Sequence, residues 1–369
     1  MSHPRRRTLL RAAGAALALA AALFVSAACE VAQVPPEPSR PNKIVMGYYR
    51  TSNKAVLSHA QIAYGYLTHI AHAFAWPDAS GDLVVPAGFL YPELNTAARA
   101  AGVKMILSLG GWGNCAGFPG ATSTPANRTR FIGQLVDFCR ANAYDGVDID
   151  WEFVSNDTEK ANFTLFIEAL GAALKAQSPP LLLSAAVPSG NYYGRWIDYE
   201  RLADDFDFMS FMTYDYHGTW SDHSGHNSPL YASAGDTCGS VDETFAYARS
   251  RQVPLAKLVV GVPFFGRSFD CGGLGQPFTT SEGWDYADIL DLPASEWSRV
   301  WDGQAQVPYM RRTDGTKIIS YDDPSSVGLK CQYVKDKTSA GVIIWELGGD
   351  FRSGNSDLLE VIGRSFGVD

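Results

Sequence analysis

The sequence has little of what marks a membrane, metal or nucleic-acid protein. Its one long apolar run, residues 12–28, is Ala-rich, too short and too weakly hydrophobic to read as a membrane span. Cysteines number 6 in 369 residues, and their spacings fit no zinc site. Positive charge is in deficit, with 30 Lys and Arg against 39 Asp and Glu. Such a surface argues against nucleic acid and other polyanions as partners. No internal repeat divides the chain, which excludes a repeat array.

What is present describes a globular protein with a substantial core: 46% hydrophobic and 19% charged residues, with 9 Trp, 17 Tyr and 19 Phe. Most of those aromatics are expected in the core. The length allows one large α/β barrel or two ordinary domains. Residues 1–28 read as an export signal. Arg5, Arg6, Arg7 and Arg11 precede the apolar run, and Arg6-Arg7-Thr8-Leu9-Leu10-Arg11 resembles a twin-arginine signal. Cys29 after Ser26-Ala27-Ala28 also resembles a lipoprotein cleavage site, although Ser26 stands where such signals usually have Leu. The expected product is secreted or periplasmic, or a lipoprotein anchored through Cys29. Without residues 1–28 the chain keeps 26 basic against 39 acidic residues, a net charge of −13. Residues 29–41 are a Pro-rich linker, and 42–369 are the folded part. Five cysteines remain there (115, 139, 238, 271 and 331), an odd number with no connectivity assignable.

The most informative segment is DGVDIDWE, residues 145–152. Asp148, Asp150 and Glu152 are spaced by two, so on a strand all three leave one face. Gly146, Val147, Ile149 and Trp151 give the segment strand character. Like charges so crowded cost stability, and the arrangement is expected where a carboxyl pKa must be raised for general-acid work. A solvated helix face would space its acids by three or four, and a calcium loop would carry glycine at its sixth position; neither fits. Asp145 is on the other parity, and a structural hydrogen-bonding role is expected for it.

Eight strand-like runs follow the linker: Lys43–Tyr49, Ile70–Phe74, Met105–Gly110, Gly146–Glu152, Leu181–Val187, Phe208–Tyr214, Leu258–Phe264 and Gly341–Leu347. Helical periodicity separates most of them, clearest at Asn127–Asn142, Asp157–Gln177, Val241–Arg251 and Asp323–Thr338. The alternation predicts a parallel (β/α)8 barrel, with the acids at the C-terminal end of its fourth strand, where such barrels carry their chemistry. Ser268–Ser320 is too long for a connection and is expected to be a small α+β insertion walling one side of a groove.

At these residues the chain resembles glycoside hydrolase family 18, the chitinases and their relatives. DGVDIDWE looks like the family signature, Ser108-Leu109-Gly110-Gly111-Trp112 like its third-strand element, and Met212-Thr213-Tyr214-Asp215 like its sixth-strand element. Pro263 to Phe269, Tyr321-Asp322-Asp323-Pro324 and Gly341 to Trp345 continue the match, which covers about residues 42–366. The resemblance implies hydrolysis of β-1,4 links between N-acetylglucosamine units, retaining and assisted by the substrate's own acetamido group. It implies Glu152 as general acid, Asp150 as positioner of the acetamido N–H, Asp148 as holder of a shared proton, and Tyr214 as donor to the acetamido oxygen. Trp345 would be the floor of the groove. Met212, Asp215, Phe153, Gly111, Trp112, Phe74, Tyr48 and Arg267 are candidates to line it. Phe153-Val154 and Phe265 depart from the family's usual residues, each losing a phenol hydroxyl.

An endo-β-N-acetylglucosaminidase acting on glycans and a non-catalytic chitin-binding lectin are the alternatives, although retention of Glu152 speaks against the lectin. No cofactor, no metal and a monomer are expected. His217, His223 and His226 with Asp222 could be drawn as a metal site, but they lie in a long loop and the family chemistry needs no metal. The acceptor patterns at Asn127, Asn156 and Asn162 are read as incidental. No separate carbohydrate-binding module is visible.

Overall fold

In a computed structural model that describes residues 43–368, eight β-branched and aromatic runs pair into one closed parallel barrel. Its strands are, in order, Ile44–Arg50, His69–Pro77, Lys104–Gly110, Gly146–Asp150, Leu182–Val187, Phe208–Phe211, Leu258–Pro263 and Gly341–Trp345. Each pairs with the next, and the first pairs with both the second and the last, which closes the ring. The expected export signal at residues 1–28, Cys29 and the Pro-rich linker 29–41 lie outside the described residues, as does Asn42.

Strand alternation sorts the interior into two compartments. Val45, Tyr49, Val147, Ile149 and Trp151 face outward into the large core between strands and helices. Met46, Tyr48, Ala71, Ala73, Ile106, Phe208, Val259 and Ile343 fill the barrel's centre. Asp148 and Asp150 share the inward parity, so the strand that supplies two apolar anchors to the helices also delivers two carboxyls inward.

Helices Pro125–Ala141, Asp157–Lys175, Val241–Ser250 and Pro324–Asp336 cover the outside. Each begins at a side-chain cap, from Thr124, Asn156, Ser240 and Asp323 respectively. The strand boundaries differ from expectation where it matters. The fourth strand ends at Asp150, so Glu152 sits in the following turn rather than on the strand. Pairing with the third strand stops at Gly110–Asp150 and with the fifth at Ile149–Ala185, leaving Trp151 to stack outward on Phe118 with ring centroids 5.0 Å apart. The sixth strand stops at Phe211, before Met212 and Tyr214.

Residues 265–320 form a five-stranded antiparallel sheet with a short helix, Tyr286–Leu290. Its strand order is Ser281–Asp285, Phe265–Phe269, Ile318–Ser320, Val307–Arg312 and Trp297–Asp302. The sheet's first strand follows the seventh barrel strand almost directly, so the two units share Pro263-Phe264-Phe265 as their junction.

Candidate active site

Asp148 is fully buried at the barrel's centre, and hydroxyls surround it. Tyr48 Oη and Ser108 Oγ each donate to Oδ2 at 2.8 Å, and Ser184 Oγ donates to Oδ1 at 2.7 Å. Ser108 and Ser184 are its register partners on the third and fifth strands. Burial raises the Asp148 pKa, and the three hydroxyl donors act against that rise.

Asp150, one step nearer the open end, is also buried, and its Oδ1 has no hydrogen-bond partner. Burial first, then the charges of Glu152 and Asp148, hold its carboxyl well above the usual range. Among the described residues no hydrogen bond joins Asp150 to either neighbour. Glu152 is half-buried in the turn beyond. Burial and then the nearby Asp215 charge push it up to about 7, while the backbone N–H of Trp112 pulls the other way. The Glu152 backbone N–H donates to the Cys115 thiol at 3.2 Å, and that thiol faces the Asp150 carbonyl at 3.3 Å. Three carboxyls in one column cannot all be ionised, so the column carries at least one proton near neutrality.

Tyr214 stands beside the column. Burial and the charges of Asp150, Glu152, Asp215 and Asp148 keep its phenol protonated. Asp215 has φ +58° and accepts from Arg267 Nε at 2.7 Å, tying the loop after the sixth strand to the antiparallel sheet. Trp345 ends the last barrel strand, stacked on Phe74 at 5.7 Å and tilted against Tyr48 at 5.3 Å. A cavity of about 280 Å3 is lined by Trp345, Arg50, Asp215, Arg267, Trp284 and Asp285 among others. A second, of about 420 Å3, shares Arg50 and reaches Phe74, Trp76 and Asn114.

The remaining expected residues divide. Tyr48 is 1% exposed, so it acts on Asp148 from inside the barrel rather than lining the groove. Gly111 is buried beneath the Phe74 ring: a Cβ there would come within 2.3 Å of it, at φ +75°. The Trp112 side chain is 80% exposed, while its backbone meets Glu152. Phe153 stacks on Tyr193 at 4.2 Å, and Met212 is half-buried just past the sixth strand. Asp145 is at the opposite end of the strand, where its carboxylate accepts from the Met105 N–H at 2.8 Å.

Sequence reasoning did not single out Ser184 and Cys115, or Arg50, Trp284 and Asp285 along the cavity. Parity on the fifth strand could have found Ser184, whose position faces Asp148. Nothing in the pattern marks the others. All five cysteines among the described residues are free thiols.

The profile described as Glycosyl hydrolases family 18 matches residues 44–350. Chitinase A1 of Niallia circulans is 36% identical over 284 residues, covering 67% of this chain and 41% of that protein. A probable endochitinase of Caenorhabditis elegans is 32% identical over 347 residues, covering 82% of this chain and 56% of its own. The chain therefore spans about half the length of these curated relatives. Among solved structures, a family 18 N-acetylglucosaminidase from Paenibacillus barengoltzii superposes with a TM-score of 0.80 at 29% identity, covering 88% of this chain and 99% of that one.

Proposed function

The chain belongs to glycoside hydrolase family 18, and on that premise we propose that it is an exported, monomeric chitinase. It would cleave β-1,4 links between N-acetylglucosamine units of chitin or chitooligosaccharides with retention. The observation that carries this reading is the Glu152 carboxyl, held near pKa 7 at the mouth of the barrel above Asp150 and Asp148.

In the proposed mechanism Glu152 delivers its proton to the glycosidic oxygen as the C1–O bond breaks. The substrate's acetamido oxygen attacks C1 and forms an oxazolinium ion. Glu152, now a carboxylate, takes a proton from water as that water opens the ring from the face the leaving group vacated. Asp150 has a buried oxygen without a partner, which the acetamido N–H would satisfy. Proton sharing between Asp150 and Asp148 would let Asp150 gain charge as the cation forms. Tyr214 would donate its phenol proton to the acetamido oxygen and align it. Trp345, backed by Phe74, offers a flat apolar face to a neutral sugar ring. A groove walled by Arg267, Trp284 and Asp285 suits a linear polymer.

The test is turnover of defined chitooligosaccharides and of a glycoprotein by purified protein, with binding measured in parallel. Cleavage of the oligosaccharides supports the proposal. Cleavage of glycoprotein glycans alone would make the chain an endo-β-N-acetylglucosaminidase, and binding without cleavage would make it a lectin.

A further inference from the structure

The loop after the sixth barrel strand contains a cluster the hydrolytic reading does not use. His217, His223, Asp236 and Cys238 each offer one ligand atom, and these four atoms all lie within 4.8 Å of one another. His217 Nε2 is 3.4 Å from His223 Nε2 and 3.3 Å from Asp236 Oδ1, and His223 Nε2 is 3.9 Å from the same oxygen. Ligands on a tetrahedral zinc at about 2.0–2.1 Å stand about 3.3 Å apart; the two distances from His217 Nε2 match that spacing, and the wider ones would close around an ion.

The protons point the same way. His217 Nδ1 faces the His226 carbonyl at 3.0 Å and must donate to it; His223 Nδ1 faces Asp222 Oδ1 at 2.5 Å and donates there. In the neutral rings both Nε2 atoms are then lone pairs, turned toward each other and toward a carboxylate. One added proton satisfies a single pair of these acceptors, whereas one cation satisfies all of them. The outer contacts are those metal-bound imidazoles make, a backbone carbonyl behind one ring and a carboxylate behind the other. The Cys238 N–H fixes the Asp236 carboxylate at 2.9 Å. Gly225 leaves room for the His217 ring, since a Cβ there would lie 2.3 Å from it.

The set differs from the one a sequence reading draws. His226 turns away to Ser320 and Asp302, and Asp222 stands behind His223 rather than at the centre; Asp236 and Cys238 take their places.

We propose that His217, His223, Asp236 and Cys238 form a structural Zn2+ site that clamps residues 217–238. Two neutral imidazoles, one carboxylate and one thiolate balance the ion's charge, and binding releases the thiol proton. Four protein ligands leave no open position, so the ion serves the fold and not the chemistry. The clamp would hold the loop that carries Asp215 and Trp220, whose ring lies under the Arg267 guanidinium at 5.0 Å.

The purified protein, stripped with chelator and dialysed, is titrated with Zn2+ and with Co2+. The expected result is a single equivalent of zinc that survives desalting and a Tm raised by roughly 5 °C at saturation. Cobalt should give the intense visible bands of a tetrahedral site and a near-ultraviolet thiolate-to-metal band. Cys238→Ser, at an exposed position that does not threaten folding, should lose the thiolate band. Asp222→Asn should weaken zinc binding about tenfold. Zinc well below one equivalent, a weak octahedral cobalt spectrum, or a thiolate band that persists in Cys238→Ser would overturn the assignment.

Discussion

Tyr48 and Asp148 are 100 residues apart in sequence and meet across the barrel's centre through a 2.8 Å hydrogen bond. The first strand thus supplies one of three hydroxyls that hold the innermost carboxyl. Tyr48→Phe removes that donor and leaves the two serines. A lost donor to the ionised form raises the Asp148 pKa further. Turnover of chitooligosaccharides is expected to fall about tenfold, with a loss of about 1–3 kcal/mol in stability measured by denaturant unfolding. Unchanged turnover would mean that Asp148 takes no part in the proton balance.

Glu152→Gln keeps the shape of the proposed acid and removes its proton. Hydrolysis should fall by roughly 10²–10⁴-fold, while oligosaccharide affinity by calorimetry stays within a few-fold of wild type. Substantial residual turnover would show that the acid has been assigned to the wrong residue.

The pH profile follows from the same group. A general acid must be protonated, and Glu152 loses its proton as pH rises through about 7. The logarithm of kcat/KM should therefore be flat below that point and fall with a slope of about −1 above it. A profile that declines instead below pH 5 with no alkaline limb would contradict the assignment.

Stability should carry the imprint of the same group, on the acid side of pH 7. A carboxyl whose folded pKa is raised makes the folded state bind more protons than the unfolded chain, so stability falls as pH rises from about 4.3 toward 7. Gln has no such dependence. Glu152→Gln and wild type should have similar Tm values near pH 4, and the variant should be the more stable by roughly 1–3 kcal/mol at pH 8.

Gly111→Ala puts a methyl into the Phe74 ring at a backbone angle that disfavours any side chain. Phe74 must move, and the stacked Trp345 with it. KM for oligosaccharides should rise several-fold with a smaller change in kcat, the mark of a groove effect rather than lost proton transfer.

The barrel was legible because its strands are apolar runs of the right length, and the strand spacing of two put Asp148 and Asp150 on the correct face. The same regularity misled at the strand ends. Glu152 and Tyr214 continue the alternation in sequence, yet the ladders stop at Asp150 and Phe211, and only the partner strands decide where that happens. Tyr48 illustrates another limit: an aromatic near a strand's end reads as groove lining, whereas depth in the barrel makes it an interior donor. His217 and Cys238 are 21 positions apart, and loop folding that no periodicity records brings them together.

The parity of the fourth strand also decides which genetic changes this chain can absorb. Deleting or inserting one residue between Gly146 and Asp150 would turn every later side chain to the other face, sending a carboxyl among the helices and Ile149 into the centre. Substitutions in that stretch grade activity, but length changes would erase it. Insertions are tolerable only beyond the strand ends, the kind of position where residues 265–320 have been accommodated between two barrel strands.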